Sequence, residues 1–245
     1  APAVDWGAWA AGLGADAPFA EVVVRQPDFL RGLSLTLGNT PLDTWRDWLR
    51  LRVVQAHAAY LDARIVEAEF DFVGRTLSGI PEQRARWKRG VSLVDASLGE
   101  AVGELYVDRH FPPAARERMD ELVANLVEAF RRSFAASAWM GEETQQEAIA
   151  KLEAFTPKVG HPSTWRDYSS LEIRDDDLVG NVRRVAAFEV DRALAKLGGP
   201  VDRDEWFLTP QTVNAYYNPG LNEIVFPAAI LQPPFFDAEG DDADN

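Results

Sequence analysis

A hydrolytic metal centre needs histidines and carboxylates grouped on one turn of helix or in a short loop. The three histidines of this sequence, His57, His110 and His161, stand far apart, and none has a His or Glu at ligand spacing. Each reads as a packed or surface imidazole, and no metal is expected to bind within this chain. The sequence has no G-x-S-x-G elbow, no P-loop and no G-x-G-x-x-G fingerprint. With no cysteine it has no thiolate ligand, no thiol nucleophile and no disulfide. Pairs such as Glu67/Glu69 and Glu142/Glu143 look like ordinary charge on helix surfaces. The run Trp165-Arg166-Asp167-Tyr168-Ser169 reads as a loop locked by Arg–Asp pairing and Trp burial. No catalytic residue is therefore assigned within the chain.

What remains is a strand pattern, Val213-Asn214-Ala215-Tyr216-Tyr217. A strand at a sheet edge has unpaired N–H and C=O groups to which an extended peptide can add. The Asn214 amide has both an acceptor and donors, so it could bracket one peptide unit. Such bonds contribute roughly 0.5–1.5 kcal/mol each, so the gain is chiefly register and orientation. From the pattern alone a plain structural strand, with Asn214 capping its own turn, remains the competing interpretation.

Helices must position this strand, because the pattern from residue 1 to about 200 is helical. Thr40-Pro41-Leu42-Asp43 reads as an N-cap, a proline at the first helical position and an early acid. Leu42, Trp45, Leu49, Val53, Ala56 and Tyr60 then recur at three- and four-residue spacing. Pro112-Pro113 opens a helix with the stripe Met119, Leu122, Leu126, Phe130 and Phe134. Others are expected from about Glu142, from Asp176 to Gly198-Gly199-Pro200, and over Pro81 to Tyr106. After residue 200, Gln211–Tyr217 and Asn222–Phe226 flank Asn218-Pro219-Gly220-Leu221, which predicts a β-hairpin. A hairpin alone is marginal in water and needs a neighbour. No neighbouring strand is evident in the sequence after it. The expected class is mainly α: a multi-helix lobe over 1–200, then a C-terminal β-hairpin region over 201–245.

The 245 residues are 47% apolar and carry a net charge of −14. That is enough to bury a core, and the wrong sign for a nucleic-acid phosphate backbone or an anionic leaflet. No run approaches the ~18 apolar residues that span a bilayer, and the start Ala1-Pro2-Ala3 has no basic or apolar leader pattern. The acidic runs Asp175-Asp176-Asp177 and Asp237 to Asp244 lack the spacing of a calcium loop and read as solvated charge. A cytoplasmic location is expected, with export left open.

The segment TVNAYYNPGLNEIVFPAAILQPPFF, Thr212 to Phe236, closely resembles the neprilysin and endothelin-converting-enzyme family of zinc metallopeptidases. The likeness extends upstream through Val24-Arg25-Gln26-Pro27-Asp28-Phe29, Arg86-Trp87-Lys88-Arg89, Leu105-Tyr106-Val107, Trp139-Met140, Lys151-Leu152 and the Trp165–Ser169 run. The resemblance implies a helical lobe capping a thermolysin-like catalytic lobe. This chain would supply a later part of the former and the first hairpin of the latter. It implies that Asn214 and Ala215 hold the substrate backbone, and that Ile230 and Phe235 line an apolar pocket for the residue after the scissile bond. The family's H-E-x-x-H helix, with its zinc ligands and catalytic Glu, would lie beyond Asn245. Zinc is thus expected in a longer protein and not in this chain, which alone is expected to be inactive. Gly90 stands where vertebrate relatives place a Cys, which suggests a bacterial member. The expected partners are a peptide substrate and the remainder of the catalytic lobe. A non-catalytic peptide-binding module and a purely structural helical domain are the alternatives.

Overall fold

Proline and aspartate set where most helices begin. The computed structural model describes residues 4–15, 19, 21–241, 243 and 245. Ala1–Ala3, and Asp242 and Asp244 of the acidic tail, lie outside the described residues. Helix α1 (Trp6–Gly12) starts behind Asp5, whose carboxylate accepts from the Ala8 amide at 2.9 Å. Helix α2 (Pro27–Asn39) has proline in its first turn, and α3 (Leu42–His57) follows it directly. The expected cap is displaced by one residue: Thr40 closes α2, and Pro41 sits at the N-cap of α3 with φ −58° and ψ 143°. Pro41 has no amide hydrogen to contribute, and that extended conformation suits the position before the first helical turn. A short 3₁₀ turn, Ala58–Tyr60, and α4 (Ala63–Glu69) come next, and α4 runs into a π-helical stretch at Phe70–Leu77.

Helix α5 (Arg86–His110) starts later than the sequence suggested, and Leu98 breaks its regularity with φ −133° and ψ 34°. Helix α6 (Pro113–Ala135) opens on its proline, and α7 (Glu142–Glu153) and α8 (Leu178–Ala195) fall where periodicity placed them. Asp177 caps α8 through Gly180 N at 2.9 Å and also pairs with Arg184 at 3.0 Å. The Gly180 amide first, and Arg184 second, hold the Asp177 carboxyl below the usual carboxylate range. Its stabilising effect is therefore present above the unfolded value near 3.8 and is lost as pH falls through the lower folded value. Asp177→Ala should lower the melting temperature of α8 at neutral pH. The difference from the parent should vanish in acid, as read by circular dichroism.

The sheet differs from the bare hairpin expected. Strands β2 (Tyr216–Asn218) and β3 (Glu223–Pro227) pair antiparallel, Tyr216 opposite Val225 and Asn218 opposite Glu223. Strand β1 (Thr156–Gly160), inside the region expected to be helical, pairs parallel to β3 and gives the order β1-β3-β2. The neighbour the hairpin needs thus lies upstream of it in sequence. Thr156, Val159 and the sharp turn at Gly160 end the helical periodicity after Glu153, but five residues are too few for a period-two pattern to stand out.

By packing, the chain divides into two compact units, Ala1–Ala85 with Ser169–Val201 and Arg86–Tyr168 with Asp202–Asn245. In the second unit Phe111, Ala115, Met119 and Val123 pack on Val159, Ala228, Leu231 and Phe236. The α6 stripe therefore covers one face of the sheet. On the opposite face Glu223 and Val225 are fully buried.

Candidate functional site

Strand β3 is central, so β2 has one edge unpaired among the described residues. The ladder begins at Tyr216, so Val213, Asn214 and Ala215, which the sequence pattern places in the strand, precede it. A tight turn intervenes: Asn214 N donates to Thr212 O at 3.0 Å, and Asn214 Oδ1 accepts from Ala215 N at 2.8 Å. Asn214 and Ala215 are exposed and lead directly into the free edge. The acceptor of the Asn214 amide is engaged within its own turn, which leaves Nδ2 as an outward donor with no protein partner among the described residues.

The strand is held firmly from behind. Phe207 N donates to the Tyr216 hydroxyl at 3.1 Å, and burial raises the Tyr216 phenol above its ordinary value. Tyr217 stacks on Phe155 with ring centroids 6.5 Å apart, and its hydroxyl donates to Asn222 Oδ1 at 3.0 Å. Upstream, Gln211 donates to Gly99 O at 2.8 Å and to the Asp95 carboxylate. Gly103 approaches Pro210 so closely that a Cβ there would meet its ring carbon at 2.7 Å. Helix α5 thus backs the segment that delivers Asn214 to the edge. Ile230 is half-buried against the core, Phe235 is 64% exposed, and neither lines the cavities described below.

Sequence reasoning missed a polar cavity of about 300 Å³ next to this segment. Asp95, Glu100, Arg166, Tyr168 and Thr212 line it. Arg166 pairs with Glu100 at 2.8 Å, its amide binds the same carboxylate at 2.9 Å, and Glu100 N donates to the Tyr168 hydroxyl at 3.3 Å. The Trp165–Ser169 run is tied down by an arginine ion pair that reaches Glu100 on α5, a contact that adjacency in sequence does not suggest. An apolar groove of about 400 Å³ opens on the α6 face of the sheet.

The imidazoles each have a local neighbour. His57 Nδ1 lies 2.8 Å from Val53 O, His110 packs on Tyr106, and His161 stacks on Trp165 with Nδ1 2.9 Å from Pro162 O. Among the described residues no three His, Asp or Glu side chains group so as to hold a metal ion. The described residues therefore offer no arrangement that fits a zinc ion. No described helix is long and apolar enough to cross a membrane.

Comparison with known proteins places this arrangement. Two sequence profiles, both described as peptidase family M13, match residues 1–162 and 214–245. Mouse neprilysin is 31% identical over 227 residues, which cover 89% of this chain and 30% of that protein. The neutral endopeptidase of Lactobacillus helveticus is 30% identical, over 88% of this chain and 34% of that protein. The chain thus spans about a third of the length of the curated relatives it matches. Among solved structures, Mycobacterium tuberculosis zinc metalloprotease ZMP1 in its open state superposes with a TM-score of 0.88 at 56% identity, over 98% of this chain and 38% of that one. The same protease in complex with an inhibitor gives a TM-score of 0.89 at 55% identity, over 98% and 36%. With one profile covering residues 1–162 and a second taking up at the Asn214 edge, the chain belongs to peptidase family M13.

Proposed function

We propose that this chain is part of a zinc-dependent endopeptidase, in which it aligns the substrate backbone and forms part of the cavity wall. The observation that carries this reading is the free edge of β2, with the unpartnered Asn214 Nδ2 at its entrance. A peptide lying along that edge as the next strand would find alternate backbone groups turned towards it. Asn214 Nδ2 would donate to a substrate carbonyl and Ala215 would supply backbone contact, fixing the register of the peptide before cleavage. Ile230 and Phe235 would provide apolar contact for the side chain after the scissile bond. Residues 1–200 would then be a portion of the helical cap lobe, and 201–245 the start of the catalytic lobe. Zinc chemistry in this reading belongs to polypeptide outside these residues, and these residues alone would not hydrolyse peptides.

The test is Asn214→Ala in the complete enzyme. Losing one or two hydrogen bonds of about 0.5–1.5 kcal/mol each should reduce kcat/KM for a peptide roughly tenfold. Zinc content should stay at the parent level. Unchanged kcat/KM would remove the alignment role, and peptide cleavage by residues 1–245 alone would overturn the division of labour.

A further inference from the structure

The segment that delivers Asn214 is docked on α5 through a slot made of glycines. Gly99 and Gly103 are buried and one turn apart, so they share one face of the helix. A Cβ at Gly99 would lie 2.6 Å from Thr209 Cγ2, and one at Gly103 would lie 2.7 Å from Pro210 Cδ and 3.0 Å from Gln211 Oε1. Residues 209–211 therefore occupy space that side chains on this face would otherwise fill. Pro210 is fully buried there, and its carbonyl accepts from Ala229 N at 2.8 Å, next to Ile230.

The slot lies at a break in the helix. Leu98, with φ −133° and ψ 34°, separates an N-terminal limb that carries Asp95 from a C-terminal limb that begins at Gly99. At such a break the hydrogen-bond ladder that keeps a helix straight is interrupted. Gln211 bridges it. Its Nε2 donates to the Asp95 carboxylate on one limb and to Gly99 O at 2.8 Å on the other, which uses both hydrogens of the amide. Gln211 Oε1 is buried with no partner among the described residues. A flipped amide would turn that oxygen towards two acceptors, so the donor orientation is fixed.

The segment also borders the polar cavity, which Asp95, Thr209 and Thr212 line. Close packing does not hold it on that side, so the polar bonds of Gln211 must. From Gln211 onward there is little slack. Thr212 N donates to Thr209 O at 3.0 Å, the two threonine hydroxyls lie 2.9 Å apart, and Asn214 N donates to Thr212 O at 3.0 Å. Two consecutive turns thus carry the placement of Gln211 to Asn214.

We propose that Asp95 and Gln211 are positioning residues for peptide cleavage, which set where Asn214 meets the substrate backbone without touching it themselves. This rests on the alignment role of Asn214 proposed above. A misplacement of about 1 Å in a group that positions substrate can cost about a hundredfold in rate.

The test compares kcat/KM for a peptide in the complete enzyme. Gln211→Met keeps the length of the side chain and removes both donors. It should lower kcat/KM roughly tenfold, with zinc content at the parent level. Asp95→Ala should do the same, and Asp95→Asn, which restores an acceptor, should recover most of that loss. The deciding measurement is the cycle with Asn214→Ala. In that background Gln211→Met should cost less than about twofold, because the group it places is gone. A residue that merely supports the fold costs the same factor in both backgrounds. Equal losses in the two backgrounds, no loss from Gln211→Met, or Asp95→Asn as impaired as Asp95→Ala would overturn the proposal. So would failure of both Gln211→Met and Asp95→Ala to fold, which would make the contact a folding element. If Asn214→Ala itself leaves kcat/KM unchanged, the alignment reading falls and this proposal with it. A clear loss from Asn214→Ala together with any of the overturning outcomes removes this proposal alone.

Discussion

Lys158→Met is expected to destabilise the unit that holds the sheet by about 3–5 kcal/mol, the cost of leaving a buried charge without its partner. Lys158 Nζ lies 2.7 Å from Glu223 Oε2, and the two side chains are only 9% and 2% exposed. The same ammonium donates to Glu205 O at 3.1 Å. Glu223 Oε1 has no hydrogen-bond partner among the described residues, so the lysine is what makes burial of this carboxylate tolerable. Its removal would leave a carboxylate on the central strand with neither oxygen served. Lys158→Met combined with Glu223→Leu should recover most of the loss, because two apolar side chains of similar volume avoid desolvating either charge. Hydrogen exchange of the β3 amides reads this locally. A single mutant within about 1 kcal/mol of the parent would show that water reaches the pair.

Gly160→Val should be comparably severe, for two separable reasons. Gly160 ends β1 with φ +81°, a left-handed conformation that costs a side-chain-bearing residue about 1–2 kcal/mol. A Cβ at this position would also lie 2.2 Å from Phe111 Cε1, inside the core cluster, and overpacking of that kind costs about 1–3 kcal/mol. Gly160 O accepts from Ala228 N at 2.8 Å, so the backbone has little freedom to move away. Gly160→Ala with Phe111→Leu should relieve the clash and keep the backbone penalty. Urea melts of the single and double variants would therefore differ. Equal midpoints would mean that the ring moves aside at no cost.

Much of the helical content could be read from residue spacing, and the reasons are visible in particular elements. Pro113 and Asp177 mark helix starts by chemistry that acts within one turn, so α6 and α8 were located well. Helix α7 has alternating faces long enough to show a period. Strand β1 was missed because it is short and its partner is distant: Thr156–Gly160 becomes a strand only when β3 lies beside it. The same non-local cause explains the polar cavity, whose ion pair joins Glu100 on α5 to Arg166 in a loop. The hairpin pattern leads to a strand with an edge to offer, and the resemblance to the neprilysin family points to Asn214, which lies in the turn just before that strand. The internal hydrogen bond of the Asn214 amide was one of two options the sequence left open, and local turn geometry selects it. The groove could not be inferred, because Leu126 and Phe130 look like core residues in any helical stripe.

The parallel pairing of β1 with β3 has a consequence for the order of assembly. During synthesis Thr156–Gly160 emerges well before Glu223–Pro227, and the intervening Ser169–Val201 belongs to the other compact unit. The sheet therefore cannot close while the chain is extended between its two halves. Closure must await the return of the chain at Asp202, and contacts that pair late across a long loop form slowly. Until then the apolar residues of α6 have no sheet to cover, which is the state in which a nascent chain is most open to chaperones and to aggregation. The edge offered to a peptide would then be among the last surfaces of this polypeptide to form.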